Sequence, residues 1–186
     1  MKIIVKRFKI HIIIIRQIMC DWLCYLIMSL DSNDTYIGST NNFVRRLNDH
    51  NNNNPNIKRR GAIRTSGKTW IPILIVYGFH HKNACLSFEA GWKRLSKKRN
   101  NQRLYYLNIM TNTNLCYTQD TKWNRIIDLI FFMHNFTFMD TKFMLNHDIR
   151  HPINQPEYLK IEIFMEDWIK NLPWPHFVNF DKKLIK

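Results

Sequence analysis

"CYLIMSLDSNDTYIGST", Cys24 to Thr40, carries two tyrosines, Tyr25 and Tyr36, on two short apolar runs. The polar tetrad Asp31-Ser32-Asn33-Asp34 lies between them. Leu23 to Leu30 and Thr35 to Ser39 therefore read as two strands joined by a turn. The segment that follows, "NNFVRRLNDHNN", predicts a helix capped by Thr40 or Asn41. Phe43, Val44 and Leu47 mark its buried side, and Arg46 and His50, four apart, share one face. "NNNNPNIKRRG" reads as a loop broken by Pro55 and Gly61.

Further out, "TWIPILIVYGF" is almost continuously apolar, the pattern of a central strand buried on both faces. Pro72 is tolerable if the strand begins there. "KNACLSFEAGWKRLSKK" predicts a helix whose apolar positions Cys85, Phe88, Trp92 and Leu95 recur at three- and four-residue spacing. After about residue 100 the chain reads as helical and aromatic, with "KWNRIIDLIFFMHNF" an amphipathic helix and "YLKIEIFMEDWIKNLPWPHF" closing it. The tail's large aromatic residues, Phe131, Phe132, Phe164, Trp168 and Trp174, call for burial.

The chain has 186 residues, enough for one domain with a core, and 45% of them are apolar. Its 28 Lys and Arg against 14 Asp and Glu leave a formal charge of +14. A chain this basic points to a polyanion, nucleic acid ahead of a membrane surface, although a merely basic globular protein shows the same balance. Cys20, Cys24, Cys85 and Cys116 form no Cys-x-x-Cys pair and no Cys/His cluster with zinc spacing. They read as buried thiols in a reducing compartment. The apolar N-terminal stretch is interrupted by His11, Arg16, Gln17 and Asp21, too often for a spanning helix. No small-residue cleavage site follows it, so it does not read as a signal peptide.

Between Asp49 and Asp120 there is a single acidic residue, Glu89, among a dozen Lys and Arg. Spacing alone favours a surface ion pair with Lys93, four residues on. The alternative is a ligand for a divalent cation inside a phosphate-binding surface, since magnesium needs only one or two protein carboxylates.

"LCY" (Leu23 to Tyr25), then "YIG" (Tyr36 to Gly38), then Arg46, His50 and the distant Glu89 together resemble the GIY-YIG nuclease domain. The second half of the motif is intact, while Leu23-Cys24 stands where Gly-Ile is usual. Within that family the likeness is greatest to the Slx-type catalytic subunit of a structure-specific endonuclease. It rests on "GAIRTSGKTWIPILIVYGF" (Gly61 to Phe79) and "FEAGWKRL" (Phe88 to Leu95). The cysteines and histidines of that subunit's C-terminal RING-like zinc module are missing.

The resemblance implies an α/β (α+β) fold, a small antiparallel three-stranded central sheet flanked by helices, with a helical C-terminal extension. Residues 1–21 would be an N-terminal extension, 22–98 the nuclease domain and 99–186 the C-terminal extension. It implies phosphodiester hydrolysis in branched or flap DNA with Mg2+ or Mn2+. Tyr25 would be the general base, Arg46 the clamp on the scissile phosphate and Glu89 the metal ligand. Tyr36 and His50 would orient water and phosphate, and Arg45, Arg64, Lys68, Lys93 and Arg94 would grip the DNA backbone. A scaffold protein subunit is a possible partner, a membrane is not, and the place of action is intracellular, in the nucleus or wherever the DNA lies. Two other readings stay open: a catalytically inactive nucleic-acid-binding module, and a site-specific nuclease of the homing or restriction kind.

Overall fold

The computed structural model describes residues 22–52, 65–79, 82–144, 159–165 and 167–180, without the side chains of 136–144. The expectations for residues 1–21, and for Arg64 and the Asn-rich loop, lie outside the described residues. Strands β1 (Leu23–Ser29) and β2 (Thr35–Thr40) pair antiparallel across the predicted turn. Helix α1 (Phe43–Asn51) follows at once. Its cap is Asn42, not Thr40 or Asn41: the Asn42 side chain accepts from the Arg45 N–H, satisfying one orphan donor of the first turn. Thr40 instead turns its hydroxyl toward the Asn42 backbone.

Strand β3 (Trp70–Tyr77) is buried along its whole length, as its apolar run requires. It lies in the middle of a sheet of order β2-β1-β3-β4-β5, where β4 is Lys160–Ile163 and β5 is Asn179–Phe180. Pro72 is inside β3 rather than at its start. The ladder with β1 shifts register between Leu26 and Ile27, so Leu26 faces Leu74 and Ile27 faces Pro72. Ile73 is the extra residue of that bulge. A bulge breaks the ladder locally, so a proline without an N–H is tolerated in a central strand. Ile73 and Leu74 consequently point into the same core.

Helix α2 (Lys82–Lys97) buries Cys85, Phe88 and Trp92. A short helix α3 (Asn101–Thr111) and the long α4 (Thr121–Met144) come next. Gly91 lets the Phe132 ring of α4 lie against α2, with Phe88 and Phe132 centroids 4.9 Å apart. Asp128, almost fully buried on α4, accepts from Arg99 Nε at 2.8 Å and from Tyr117 Oη at 3.1 Å, which ties α4 to the end of α2.

The tail is less helical than its sequence suggests. "KIEI" forms β4 (Lys160–Ile163), which pairs antiparallel with β3. Asn179–Phe180 adds a short parallel strand β5. The three antiparallel strands β2-β1-β3 are those expected, and these two extend the sheet beyond β3. The cause is period-two alternation: Ile161 and Ile163 face the core while Lys160 and Glu162 face the other side. Of the tail aromatics, Phe132 is buried and Phe131, Phe164 and Trp174 are partly so, while Trp168 is exposed and packs on Trp123.

The sheet separates two cores. The larger holds Cys24, Leu26, Leu74, Val76, Phe88, Trp92 and α4. The smaller, under α1, holds Leu23, Tyr25, Ile27, Phe43, Leu47 and Ile75. Cys24 and Cys85 are buried free thiols, as expected. Cys116 is not: it is exposed in the connection between α3 and α4. Among the described residues no helix is long and apolar enough to cross a membrane.

Candidate active site

Tyr25 faces Gly38 across the β1–β2 ladder, and Tyr36 faces Ile27. Both tyrosines thus stand on the α1 face of the sheet, diagonal to each other, with ring centroids 6.3 Å apart. Helix α1 brings two polar groups to the same point. His50 Nε2 lies 2.8 Å from Tyr25 Oη, and Arg46 Nε donates to that oxygen at 3.2 Å. On its other side, His50 Nδ1 lies 2.8 Å from Thr65 Oγ1. Arg46 can only donate, so the phenol oxygen accepts from it, while each ring nitrogen of His50 donates or accepts according to the tautomer.

Burial sets the protonation of this chain. It pushes the Tyr25 phenol well above its ordinary 10, with the Arg46 hydrogen bond and charge opposing. It also lowers His50 to about 4, helped by the Arg46 charge. At neutral pH the pair is a neutral phenol against a neutral imidazole that can accept a proton. Burial by itself would lower Arg46, but hydrogen bonds and charge interactions with the tyrosines outweigh it and raise the guanidinium.

Glu89 projects from α2 toward β2. Its carboxylate accepts from the Ser39 hydroxyl and pairs with Lys93. The i, i+4 ion pair expected from spacing is therefore present, but not on an open surface: the Glu89 side chain is only 16% exposed. Lys93 Nζ also lies 5.3 Å from the Tyr36 ring centroid, and Tyr36 is 5.1 Å from His50 between ring centroids. Tyrosine, arginine and histidine thus gather along the β1–β2 pair, with Glu89 joined to them through Lys93 and Tyr36.

The GIY-YIG catalytic domain matches residues 21–103. A mimivirus protein, Uncharacterized protein L300 of Acanthamoeba polyphaga mimivirus, is 65% identical over 87% of this chain and 96% of its own length. The chain carries a GIY-YIG catalytic domain. Other relatives are fungal proteins named Structure-specific endonuclease subunit SLX1. That of Vanderwaltozyma polyspora is 43% identical over 39% of this chain and 23% of its own length. That of Kluyveromyces lactis is 40% identical over 45% of this chain and 31% of its own length. The likeness to SLX1 thus covers the GIY-YIG region and a minor part of those longer proteins.

Around the GIY-YIG motif, the five residues named for catalysis converge, while those named for DNA contact scatter. Arg45 is exposed on α1, one position from Arg46. Lys68 is half-buried and paired with Asp34 in the β1–β2 turn. Lys93 sits beside Tyr36 and Glu89. Arg94 is exposed, roughly 100° around α2 from Lys93, and turns away from the cluster. Arg64 lies outside the described residues. Sequence reasoning missed Thr65 and Ser39 as partners of His50 and Glu89. Thr65 lies inside the "RTS" stretch and Ser39 directly follows "YIG", so both were in view, but no spacing rule joins them to their partners.

Proposed function

We propose that the chain is a divalent-metal-dependent endonuclease that hydrolyses phosphodiester bonds in branched or flap DNA. The observation that carries this reading is the Tyr25 hydroxyl held between Arg46 Nε and a neutral His50 Nε2. The relatives' name, structure-specific endonuclease subunit, supports a choice by DNA structure and makes a further subunit a candidate partner, and the resemblance to the Slx-type catalytic subunit points to branched DNA.

Tyr25 is the base. As water attacks phosphorus, its proton passes to the Tyr25 oxygen while the phenol proton moves to His50 Nε2. The new P–O bond forms in line as the opposite ester bond breaks, and the leaving oxygen takes a proton from solvent. His50 is suited to the relay because it is neutral at working pH and its ring is held by Thr65. Tyr25 is wholly shielded in this structure. The Arg46 guanidinium donates to its oxygen, and a phosphate that draws the guanidinium away would free that oxygen to take a proton. The Arg46 fork then neutralises charge on the equatorial oxygens in the transition state.

Glu89 is the residue that would hold a magnesium or manganese ion. Its partly open carboxylate already faces a cation, Lys93, beside the tyrosines. Among the described residues no group of three or more His, Cys, Asp or Glu gathers. The ion would thus rest on one carboxylate, with water and phosphate oxygens filling the other positions. When bound it would supply further charge neutralisation at the phosphate.

Nicking of flap and branched duplexes, with and without magnesium, tests the reading. Cutting that depends on metal and on DNA shape is expected, with affinity falling steeply as salt rises. Cleavage tied to one base sequence regardless of shape, or no cleavage at all, overturns it.

A further inference from the structure

A cleft of about 570 Å³ opens beside Tyr36, at the side of the candidate active site. Four cations line it: Lys68 from the entry to β3, Lys93 and Lys97 from α2, and Arg125 from α4. One carboxylate, Asp34, also reaches it but is paired with Lys68. Arg125 Nε donates to Thr35 Oγ1 at 3.4 Å at the cleft wall, which holds the guanidinium there. Lys97 makes no ion pair among the described residues and is exposed. Glu89, Lys93 and Lys97 stand at i, i+4 and i+8, so the cations step along one side of α2 by about 6 Å per turn.

We propose that this cleft is a second phosphate site, where Lys97 and Arg125 hold a DNA backbone phosphodiester flanking the scissile one. The proposal rests on the nuclease reading above. The cleft's charge suits an anion, not a metal, and a concave site fed by cations from three elements focuses their field more than a flat basic surface does. It shares Tyr36 and Lys93 with the catalytic cluster, and Lys97 lies one helical turn beyond Lys93. A strand whose scissile phosphate meets Arg46 therefore continues into the cleft. Arg125 lies outside the matched catalytic domain, so the C-terminal part of the chain helps to set the strand's register. Phosphate contacts of this kind position DNA without reading its bases.

The test is a binding titration of the full chain, without divalent metal, against flap duplexes carrying one neutral methylphosphonate at each successive position. The unaltered chain is expected to lose affinity at the scissile phosphate and, by about tenfold, at one position flanking it, the worth of one charge-assisted contact. Lys97→Ala should weaken binding, lower the slope of log affinity against log salt by about 1, and abolish the response at that one position. Arg125→Ala should do the same. Lys97 is on the surface, so its replacement keeps the melting temperature and the result remains readable if Arg125→Ala folds poorly. A Lys97→Ala chain that responds to every neutralised phosphate as the parent does overturns the proposal. The nuclease reading is scored separately, by whether the unaltered chain nicks the all-phosphate duplex with magnesium.

Discussion

Gly38 lies directly across the β1–β2 ladder from Tyr25, and the Tyr25 hydroxyl occupies the space that a side chain at residue 38 would need. A Cβ there would overlap the Tyr25 Oη and Cζ atoms and crowd the Tyr36 ring. The glycine is thus required by close approach and not by backbone conformation. Gly38→Ala is expected to push the phenol off His50 and Arg46. Overpacking should cost about 1–3 kcal/mol of stability, and misplacing a catalytic group by about 1 Å should cost about 100-fold in cutting rate. Urea denaturation and single-turnover nicking check the two halves, and an active, undisturbed Gly38→Ala chain refutes the arrangement.

Glu89→Gln keeps the size of the side chain and its contact with Ser39 but removes the charge. Cleavage should fall by at least about 100- to 1,000-fold, the usual effect of losing one electrostatic stabiliser of the transition state. DNA binding measured without metal should be unchanged or tighter, because a negative charge leaves a phosphate-facing surface and Lys93 is released. Cutting at the parent rate would place the metal elsewhere.

Tyr25→Phe removes only the hydroxyl that joins Arg46 to His50, and should abolish cutting while the chain stays folded. Thr65→Val tests the far end of the same chain of hydrogen bonds. It leaves His50 Nδ1 without its partner, so the ring loses its preferred tautomer. A fall of roughly 10- to 100-fold in rate at saturating DNA is expected, in the range of other partners that orient a functional histidine. Affinity for DNA should not move. If the loss appears in affinity instead, Thr65 supports the DNA surface and not the histidine.

Two of the perturbed groups on the α1 side of the sheet, His50 and Glu162, act on stability in opposite directions. His50 is lowered from 6.5 to about 4. Between those values the unfolded chain binds more protons than the folded one, so its contribution is lost as pH falls from 6.5 to 4. Glu162 on β4 stands in line with Ile75 and Tyr25, and its Oε2 is buried without a hydrogen-bond partner among the described residues. Burial raises it from 4.5 to about 7, so the folded chain binds more protons there. Its contribution is present below 4.5 and lost as pH rises to 7. Glu162→Gln should therefore gain stability over the parent between pH 5 and pH 8. Urea midpoints at the two pH values check it; an equal difference at both would show that the carboxyl is not desolvated.

The paired strands around the Asp-rich turn, the fully apolar central strand and the helices after each were legible because they rest on local periodicity. Alternation, turn residues and three- and four-residue spacing act within a few positions of the chain. The residue types gathered at the candidate site were legible through the family motif. What the chain alone could not show is how distant segments meet. Thr65 behind His50, Ser39 under Glu89 and Arg125 beside Thr35 each join positions whose approach depends on sheet register and helix packing. Pro72 could occupy a central strand only because a bulge in β1–β3 removed the need for its N–H. "KIEI" became a strand because the edge of β3 was there to receive it. Sequence by itself determined the elements and the kinds of chemistry they carry. Tertiary structure decided that Tyr25 would be buried against a neutral histidine and that four cations would converge beside Tyr36. Burial and convergence are properties of packed surfaces, set by what lies across a gap in space and not by what lies next along the chain.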